Sequence, residues 1–278
     1  MNPINKFLGL ATLAAASVGA AHAAGTALTK TDFAFTGVNG NTTVGGWSFV
    51  SFVDIAAGTT IYFTDTNVLQ TTPAAGVFGP AETFWSWTAS AAVKAGTSVA
   101  LLGTGTSGQY AAKSGAAGGT ANGTVTNLNG AVSNISSGGD ILYAFQAASY
   151  ATNYQPAAIT FLGAISNRGT YPTSDNPTAA TGLSGIQVHE YKIDANTATR
   201  YTQFTAQVTT NDAPFGSMAQ LKTSLASNAN WTTIANSNST PIVADVLAVT
   251  AVPEPESYAL MLAGLAVMGG VARRRLRG

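Results

Sequence analysis

The sequence predicts an all-β protein, an antiparallel β-sandwich with one short helix, and three observations point to it. Large apolar residues alternate with small or polar residues over short stretches, the pattern of strands with one buried face. Turn residues separate nearly all of these stretches. Only 9% of the 278 residues are charged, so the surface must be solvated mainly by hydroxyls and amides.

The clearest strands lie in the first third of the chain. Residues 47–53 alternate large apolar positions, and residues 60–64 and 83–87 are rich in aromatic and β-branched side chains. Ala57-Gly58 and Ala95-Gly96 each precede a strand within the same Ala-Gly-Thr order, which indicates a repeated hairpin entry or, alternatively, a shared ligand loop. The other predicted strands are residues 32–36, 97–102, 140–145, 158–165, 186–193, 200–208 and 242–249.

Two stretches lack the strand pattern. Residues 103–134 consist mostly of Gly, Ala, Ser, Thr and Asn, and they predict a long loop or a weak edge hairpin because they bury little apolar surface. Residues 167–185 predict a second loop, since Pro172 and Pro177 interrupt any ladder of hydrogen bonds.

One helix is predicted, at residues 216–228. Met218, Leu221 and Leu225 recur at spacings of three and four and therefore share one helix face. We expect this face to cover one end of the sandwich.

Residues 1–23 have the three parts of a secretory signal peptide. Lys6 supplies the positive start, residues 7–21 form the apolar centre, and Ala21 and Ala23 form a small-x-small cleavage site. Cleavage after Ala23 removes this segment, so it takes no part in the predicted fold.

Residues 251–278 form a second three-part signal at the other end of the chain. Pro253, Glu254 and Pro255 come first, and the prolines favour an extended segment that cannot continue a helix backward. An apolar run follows at residues 258–272. Four arginines close the tail: Arg273, Arg274, Arg275 and Arg277.

The physical properties of this tail predict a topology. A helix over residues 258–272 would extend about 22 Å, which is short for a bilayer core of roughly 30 Å. The arginines must remain in water or among headgroups, and basic clusters stay on the cytoplasmic side. We therefore expect transient insertion into the inner membrane, with the bulk of the chain outside.

The Pro-Glu-Pro motif, apolar helix and Arg cluster together resemble the PEP-CTERM sorting domain of Gram-negative bacteria. The resemblance implies that the tail is recognised by an exosortase, a membrane-bound processing protease, and that the released protein accompanies exopolysaccharide at the cell surface. An uncut single-span membrane anchor is the alternative for the same residues. In the body, residues 49–65 are similar to segments of bacterial surface proteins with a lamin-tail-like sandwich, which implies a fold and nothing more.

Residues 24–250 are the predicted β-sandwich body, either Ig-like or lamin-tail-like. They hold seven basic and ten acidic residues, and this weakly acidic balance gives no electrostatic footprint for nucleic acid. The chain has no cysteine, which excludes thiol nucleophiles, iron–sulfur centres and thiolate zinc sites.

Candidate catalytic residues are sparse. His189 is the one histidine of the mature chain, and no Gly-x-Ser-x-Gly motif accompanies it. The acidic residues, Glu82 and Glu190 among them, form no pair at a spacing diagnostic of a glycosidase. The sequence therefore predicts a protein that is not an enzyme, with no catalytic residues and no organic cofactor.

Two binding hypotheses remain. Asp65 and Asn67 follow a predicted strand and could supply oxygen ligands to Ca²⁺, or they could simply form a turn. Trp85 and Trp87 share one strand face and could stack on sugars, or they could pack in the core.

These observations predict a secreted protein of the cell surface or extracellular matrix, delivered by the secretion machinery and processed through its tail. The expected role is a non-catalytic structural or adhesive component associated with exopolysaccharide. A carbohydrate-binding module and a polysaccharide-modifying enzyme are the alternatives.

Overall fold

The computed structural model describes residues 25–41, 45–66, 68, 78, 82–116, 118–129, 135, 140–148, 159–166, 181–190, 199–204, 214–235, 242–248 and 268. The predicted signal peptide at residues 1–23 lies outside these ranges. So does the whole predicted tail at residues 251–278, including its apolar helix, apart from Met268.

The described residues form thirteen strands in two sheets, one α-helix and short 3₁₀ turns. The strands are β1 (Phe33–Asn39), β2 (Gly46–Ser51), β3 (Thr60–Thr64), β4 (Phe84–Thr88), β5 (Ser98–Gly103), β6 (Tyr110–Ser114), β7 (Thr120–Ala121), β8 (Thr124–Asn127), β9 (Ile141–Gln146), β10 (Thr160–Ser166), β11 (Val188–Glu190), β12 (Thr199–Phe204) and β13 (Trp231–Ala235). The helix α1 is Met218–Leu225, and the 3₁₀ turns are Gly185–Gln187 and Asn228–Asn230.

One sheet has seven strands in the order β13-β12-β1-β2-β5-β6-β7, and the other has six in the order β11-β10-β9-β3-β4-β8. Every pairing is antiparallel except that of β10 with β11. The protein is therefore mostly β with one helix, as the sequence predicts. The choice between an Ig-like and a lamin-tail-like sandwich stays a prediction.

Aromatic side chains from both sheets meet in the central core. Trp47 of the seven-stranded sheet lies 5.3 Å from Trp85 of the six-stranded sheet, measured between ring centroids. Phe49 similarly lies 5.4 Å from Trp87. Because successive strand residues point to opposite faces, alternation at positions 47, 49, 85 and 87 directs these four rings into the layer between the sheets.

The outer face of the seven-stranded sheet is also apolar and is covered by two segments. Leu221 and Leu225 of α1 pack against Val50 and Phe204. Residues 242–248, which we call the C-terminal strap, lie across the same face, where Ile242, Ala244, Leu247 and Ala248 are buried. The helix therefore covers a sheet face and not, as the sequence predicts, one end of the sandwich. It is also shorter than the predicted residues 216–228, since it begins at Met218 after the cap Ser217 and ends at Leu225.

The sequence-based element assignment needs three corrections. Residues 103–134 are not one long loop, since they contain β6, β7 and β8, and the edge-hairpin alternative is the better description. The predicted strand at residues 242–249 is described only to Ala248, and over this part the strap makes isolated bridges from Val246 to Thr97 and from Ala248 to Phe215 in place of a ladder. Strand β13 was not predicted, because Trp231–Ala235 is too short to show a clear period of two.

Candidate functional site

The strap fixes the point at which the chain leaves the described body. The amides of Leu247 and Ala248 both donate to the carbonyl of Gly96, at 2.8 and 3.2 Å. The Ser98 amide donates to the carbonyl of Asp245 at 2.8 Å. Because backbone bonds and buried side chains both hold the strap, Ala248 has a defined position three residues before the predicted tail.

At the N-terminal side, the described body begins at Gly25, two residues after the predicted cleavage site. Gln146 at the end of β9 secures this segment. Its side-chain oxygen accepts from the Leu28 amide at 2.7 Å, and its side-chain nitrogen donates to the Thr26 carbonyl at 3.0 Å. The Thr26 amide in turn donates to the Thr59 hydroxyl at 2.8 Å. The packed chain therefore starts close to where the signal peptide is expected to be removed.

Both chain exits lie at the same end of the sandwich, and Asp54 connects them. Its backbone carbonyl accepts from the Thr26 hydroxyl at 3.3 Å, and its carboxylate accepts from the Ala95 amide at 2.9 Å. Ala95 immediately precedes Gly96, which holds the strap. We call this end the exit end and define it by Thr26, Asp54, residues 94–96 and Ala248.

The opposite end carries three acidic residues: Asp65, Glu82 and Asp140. Asp65 follows β3, while Glu82 and Asp140 precede β4 and β9, which flank β3 and run antiparallel to it. Burial, together with the negative charges of Asp140 and Glu82, raises the pKa of Asp65 to about 8. Asp65 is therefore mostly protonated at neutral pH, and it accepts a hydrogen bond from the Thr83 amide at 3.0 Å.

This arrangement bears on the predicted calcium ligands. A protonated carboxyl is a poor Ca²⁺ ligand, so the cation would have to displace the proton of Asp65. Within the described ranges, no group of three His, Asp or Glu side chains could hold a metal ion. Asn67 lies outside those ranges, and the calcium hypothesis stays a prediction. Sequence reasoning missed the proximity of Glu82 and Asp140 because it follows from strand pairing and not from chain spacing.

Trp85 and Trp87 occupy the core, the second of the two alternatives weighed for this pair. Both side chains are 0% exposed, so no ring face is available to a sugar. The indole nitrogen of Trp85 donates to the Gly108 carbonyl at 3.1 Å, and that of Trp87 donates to the Asn122 carbonyl at 2.8 Å. The sugar-stacking hypothesis for these two residues is therefore wrong, because β4 turns both rings toward the other sheet.

His189 lies where the two sheets meet in the described structure. Its ring stacks on Trp231 with 3.4 Å between ring centroids, which connects the edge strands β11 and β13. Burial lowers the pKa of His189 to about 3, so the ring is neutral at physiological pH. Nothing in the sequence indicates this contact, since the two residues are far apart in the chain and β13 is not predicted.

These two pKa shifts predict an asymmetric dependence of stability on pH. The raised pKa of Asp65 means that the folded state keeps a proton that the unfolded state releases, so stability falls as pH rises from about 4 to 8. The lowered pKa of His189 has the opposite sign between about 3 and 6.5. We expect the two effects to cancel up to about pH 6.5, and stability then to fall by up to about 1.4 kcal/mol per pH unit toward pH 8.

Urea unfolding at pH 5, 6.5 and 8 measures this profile. The control is Asp65→Asn, whose amide oxygen can still accept from the Thr83 amide. This variant should lose the decline above pH 6.5 and become more stable than the original chain at pH 8. An identical profile in the two proteins would contradict the assignment to Asp65.

Comparison with known proteins identifies the C-terminal signal. The model of the PEP-CTERM protein-sorting motif matches residues 251–275, a range that contains Pro253, Glu254, Pro255 and the apolar run. No curated protein and no solved structure was found to match the chain, so the lamin-tail-like resemblance of the body stays a prediction.

The match also places the sorting motif after the β body in the sequence. None of the helices in the described ranges has the length and hydropathy required to cross a bilayer. The motif starts at residue 251, directly after the strap, and PEP-CTERM proteins are processed by exosortase, a membrane-associated enzyme. The chain thus carries a PEP-CTERM protein-sorting motif, the signal of proteins that are sorted through their C-terminus, processed by exosortase and exported to the cell surface or extracellular space.

Proposed function

We propose that this protein is a non-catalytic structural or adhesive component of the bacterial cell surface, associated with exopolysaccharide. The observation that carries the proposal is the sorting motif at residues 251–275, which directly follows a folded β body ending at Ala248. A body whose first and last segments are both held by hydrogen bonds is suited to remain folded after both signals are removed.

The tail acts first in this scheme. Secretion machinery exports the chain, and the signal peptide is removed after Ala23. Residues 258–272 enter the inner membrane of a Gram-negative cell, and the arginines that follow keep the C-terminus on the cytoplasmic side. Exosortase then acts near Pro253, Glu254 and Pro255, and the membrane anchoring is transient.

The surface role is supported by the composition of the body. Few of its residues are charged, and many carry hydroxyl or amide groups that hydrogen-bond to hydrated polymers as readily as to water. Such a surface suits contact with a polysaccharide matrix over a broad area, without a dedicated catalytic pocket. Calcium bound near Asp65 belongs to the same proposal as an optional stabilising ligand.

The carbohydrate-binding alternative is favoured by one feature, a groove of about 440 Å³ lined in part by Thr60, Tyr62 and Thr160. Tyr62 stacks on Phe145 with 5.4 Å between ring centroids. The amide of Gln146, which also lines the groove, is already bonded to the carbonyls of Thr26 and Thr60. The groove therefore offers few uncommitted polar groups for sugar recognition.

The proposed sorting is tested by replacing Pro253, Glu254 and Pro255 with Ala in the native host. We expect the uncut precursor to accumulate in the cell-bound fraction and the released form to be lost, because the extended segment that the protease grips is gone. Mass spectrometry of the C-terminal peptides in both fractions measures this result. Glu256→Gln, just after the Pro-Glu-Pro segment, is the matched control and should be processed normally. Uncut protein in the cytosol of the unsubstituted strain would contradict the proposal.

A further inference from the structure

We propose that the exit end of the sandwich faces the membrane while the tail is inserted, so that the end carrying Asp65, Glu82 and Asp140 points away from the cell. This orientation rests on the proposed insertion of the tail. The partner of the exit end is a lipid surface with anionic headgroups. Three features of the described residues support it: where the chain leaves, how far it can reach, and where the lysines lie.

The chain leaves the body twice at the same place. Gly25 packs against Gly58 and Thr59, and the next residue, Thr26, bonds to Asp54. Ala248 is held by Gly96. The N-terminal signal, before its removal, and the C-terminal tail therefore both extend from the exit end, and two membrane-directed segments cannot pull the body in opposite directions.

The length of the connection limits how far the body can move from the bilayer. Pro253 lies five positions after Ala248, and Tyr258, where the apolar run begins, lies ten positions after it. Fully extended, these segments span at most about 17 and 35 Å. A six-residue strand such as β5 is itself roughly 20 Å long. When the protease holds the Pro-Glu-Pro segment at the membrane, the exit end must be the nearer end.

The positive side chains also lie toward the exit end. Of the four lysines whose side chains the structure describes, Lys30, Lys94 and Lys222 lie at or beside the exit end. Lys94 pairs with Asp54 at 2.7 Å, and both side chains are more than half exposed. Lys222 donates to the Thr31 carbonyl at 3.2 Å and lies 4.4 Å above the Phe52 ring.

Three carboxylates, Asp32, Asp54 and Asp245 of the strap, balance these three lysines, so the exit end is close to neutral. Attraction to anionic lipid is worth about 1 kcal/mol per basic residue near the surface, and the carboxylates offset it, so the tether does most of the positioning. At the opposite end, Glu82 and Asp140 place negative charge, which anionic headgroups repel.

The absence of cysteine from the chain allows a direct test with single labels. Ala57→Cys lies in the turn beside the exit end, and Thr106→Cys lies in the β5–β6 turn at the opposite end; both positions are exposed. Each full-length variant is labelled with the same dye and reconstituted in phosphatidylglycerol-containing vesicles whose headgroups carry a spin-label quencher. We expect position 57 to lose most of its fluorescence and position 106 to lose little.

The outcomes separate this inference from the function on which it rests. Vesicle flotation with equal quenching at the two positions, or with stronger quenching at position 106, overturns the orientation and leaves membrane insertion intact. Failure of the full-length chain to float with the vesicles overturns both. Stronger quenching at position 57 in floated protein supports the orientation.

Discussion

A chain that ends at Thr240 is expected to unfold, whereas a chain that ends at Thr250 should remain folded. The shorter chain lacks the strap, including the buried side chains of Ile242 and Leu247. Full burial of two such side chains contributes about 3–6 kcal/mol, a large part of the 5–15 kcal/mol typical of a domain. Circular dichroism and urea unfolding of the two proteins measure the difference.

Gly96 and Gly58 provide a matched pair of substitutions for the same prediction. Both have positive φ angles, 79° and 83°, so replacement by Ala strains both turns similarly. At Gly96, however, the new Cβ would lie 2.9 Å from the carbonyl oxygen of Ala248, whereas nothing lies within 4 Å at Gly58. We expect Gly96→Ala to cost about 1–3 kcal/mol more than Gly58→Ala, because it must displace the strap.

Equal stability of the two truncated chains would contradict the structural role of the strap. Equal losses of stability from the two glycine substitutions would contradict the contact between Gly96 and Ala248. If the role is correct, exosortase cutting beyond residue 250 leaves the body complete, since all four buried apolar side chains of the strap precede the cut.

Trp87→Ala is expected to destabilise the body by about 3–5 kcal/mol, the range for truncating a large buried aromatic side chain. The substitution leaves a cavity between the sheets next to Phe49, whose ring lies 5.4 Å away. It also removes the donor to the buried carbonyl of Asn122. The midpoint of chemical unfolding and the thermal midpoint both measure this loss.

Trp87→Phe is the control, because it retains most of the apolar ring and removes the indole donor. We expect a smaller loss of stability from this variant. A sugar-stacking role for Trp87 predicts a different outcome, in which binding of the host polysaccharide falls while the unfolding midpoint stays the same. That outcome would show that the ring is accessible in solution and would contradict its burial.

Much of the fold could be predicted where one face of a strand is strongly apolar. Residues 60–64 were assigned with the same bounds as β3, because aromatic and β-branched residues flanked by turns leave few alternatives. The sequence leaves a loop and an edge hairpin open at residues 103–134, where β6 to β8 use small side chains and glycines with positive φ, such as Gly118 and Gly123. Propensity is weak there, and pairing with β4 and β5 decides the structure.

The candidate sites also combine features that the sequence predicts with features that only the structure shows. Trp85 and Trp87 could be placed on one strand face from their spacing, but only the second sheet shows that this face is buried. The sequence shows that Asp65 follows a predicted strand. Its proximity to Glu82 and Asp140 follows only from the order of β4, β3 and β9 in the sheet. Contacts between strands depend on pairing across long loops, and chain spacing carries little information about them.

The destination of this protein was determined by its sequence alone, because a sorting signal is linear. The PEP-CTERM motif is matched at residues 251–275 from the order of residues along the chain and from no part of the body. The common end at which both signals leave the sandwich was decided only by the tertiary structure. Gly25 and Ala248 are brought together by contacts through Asp54 and Gly96, which form only when the sheets and the strap have packed.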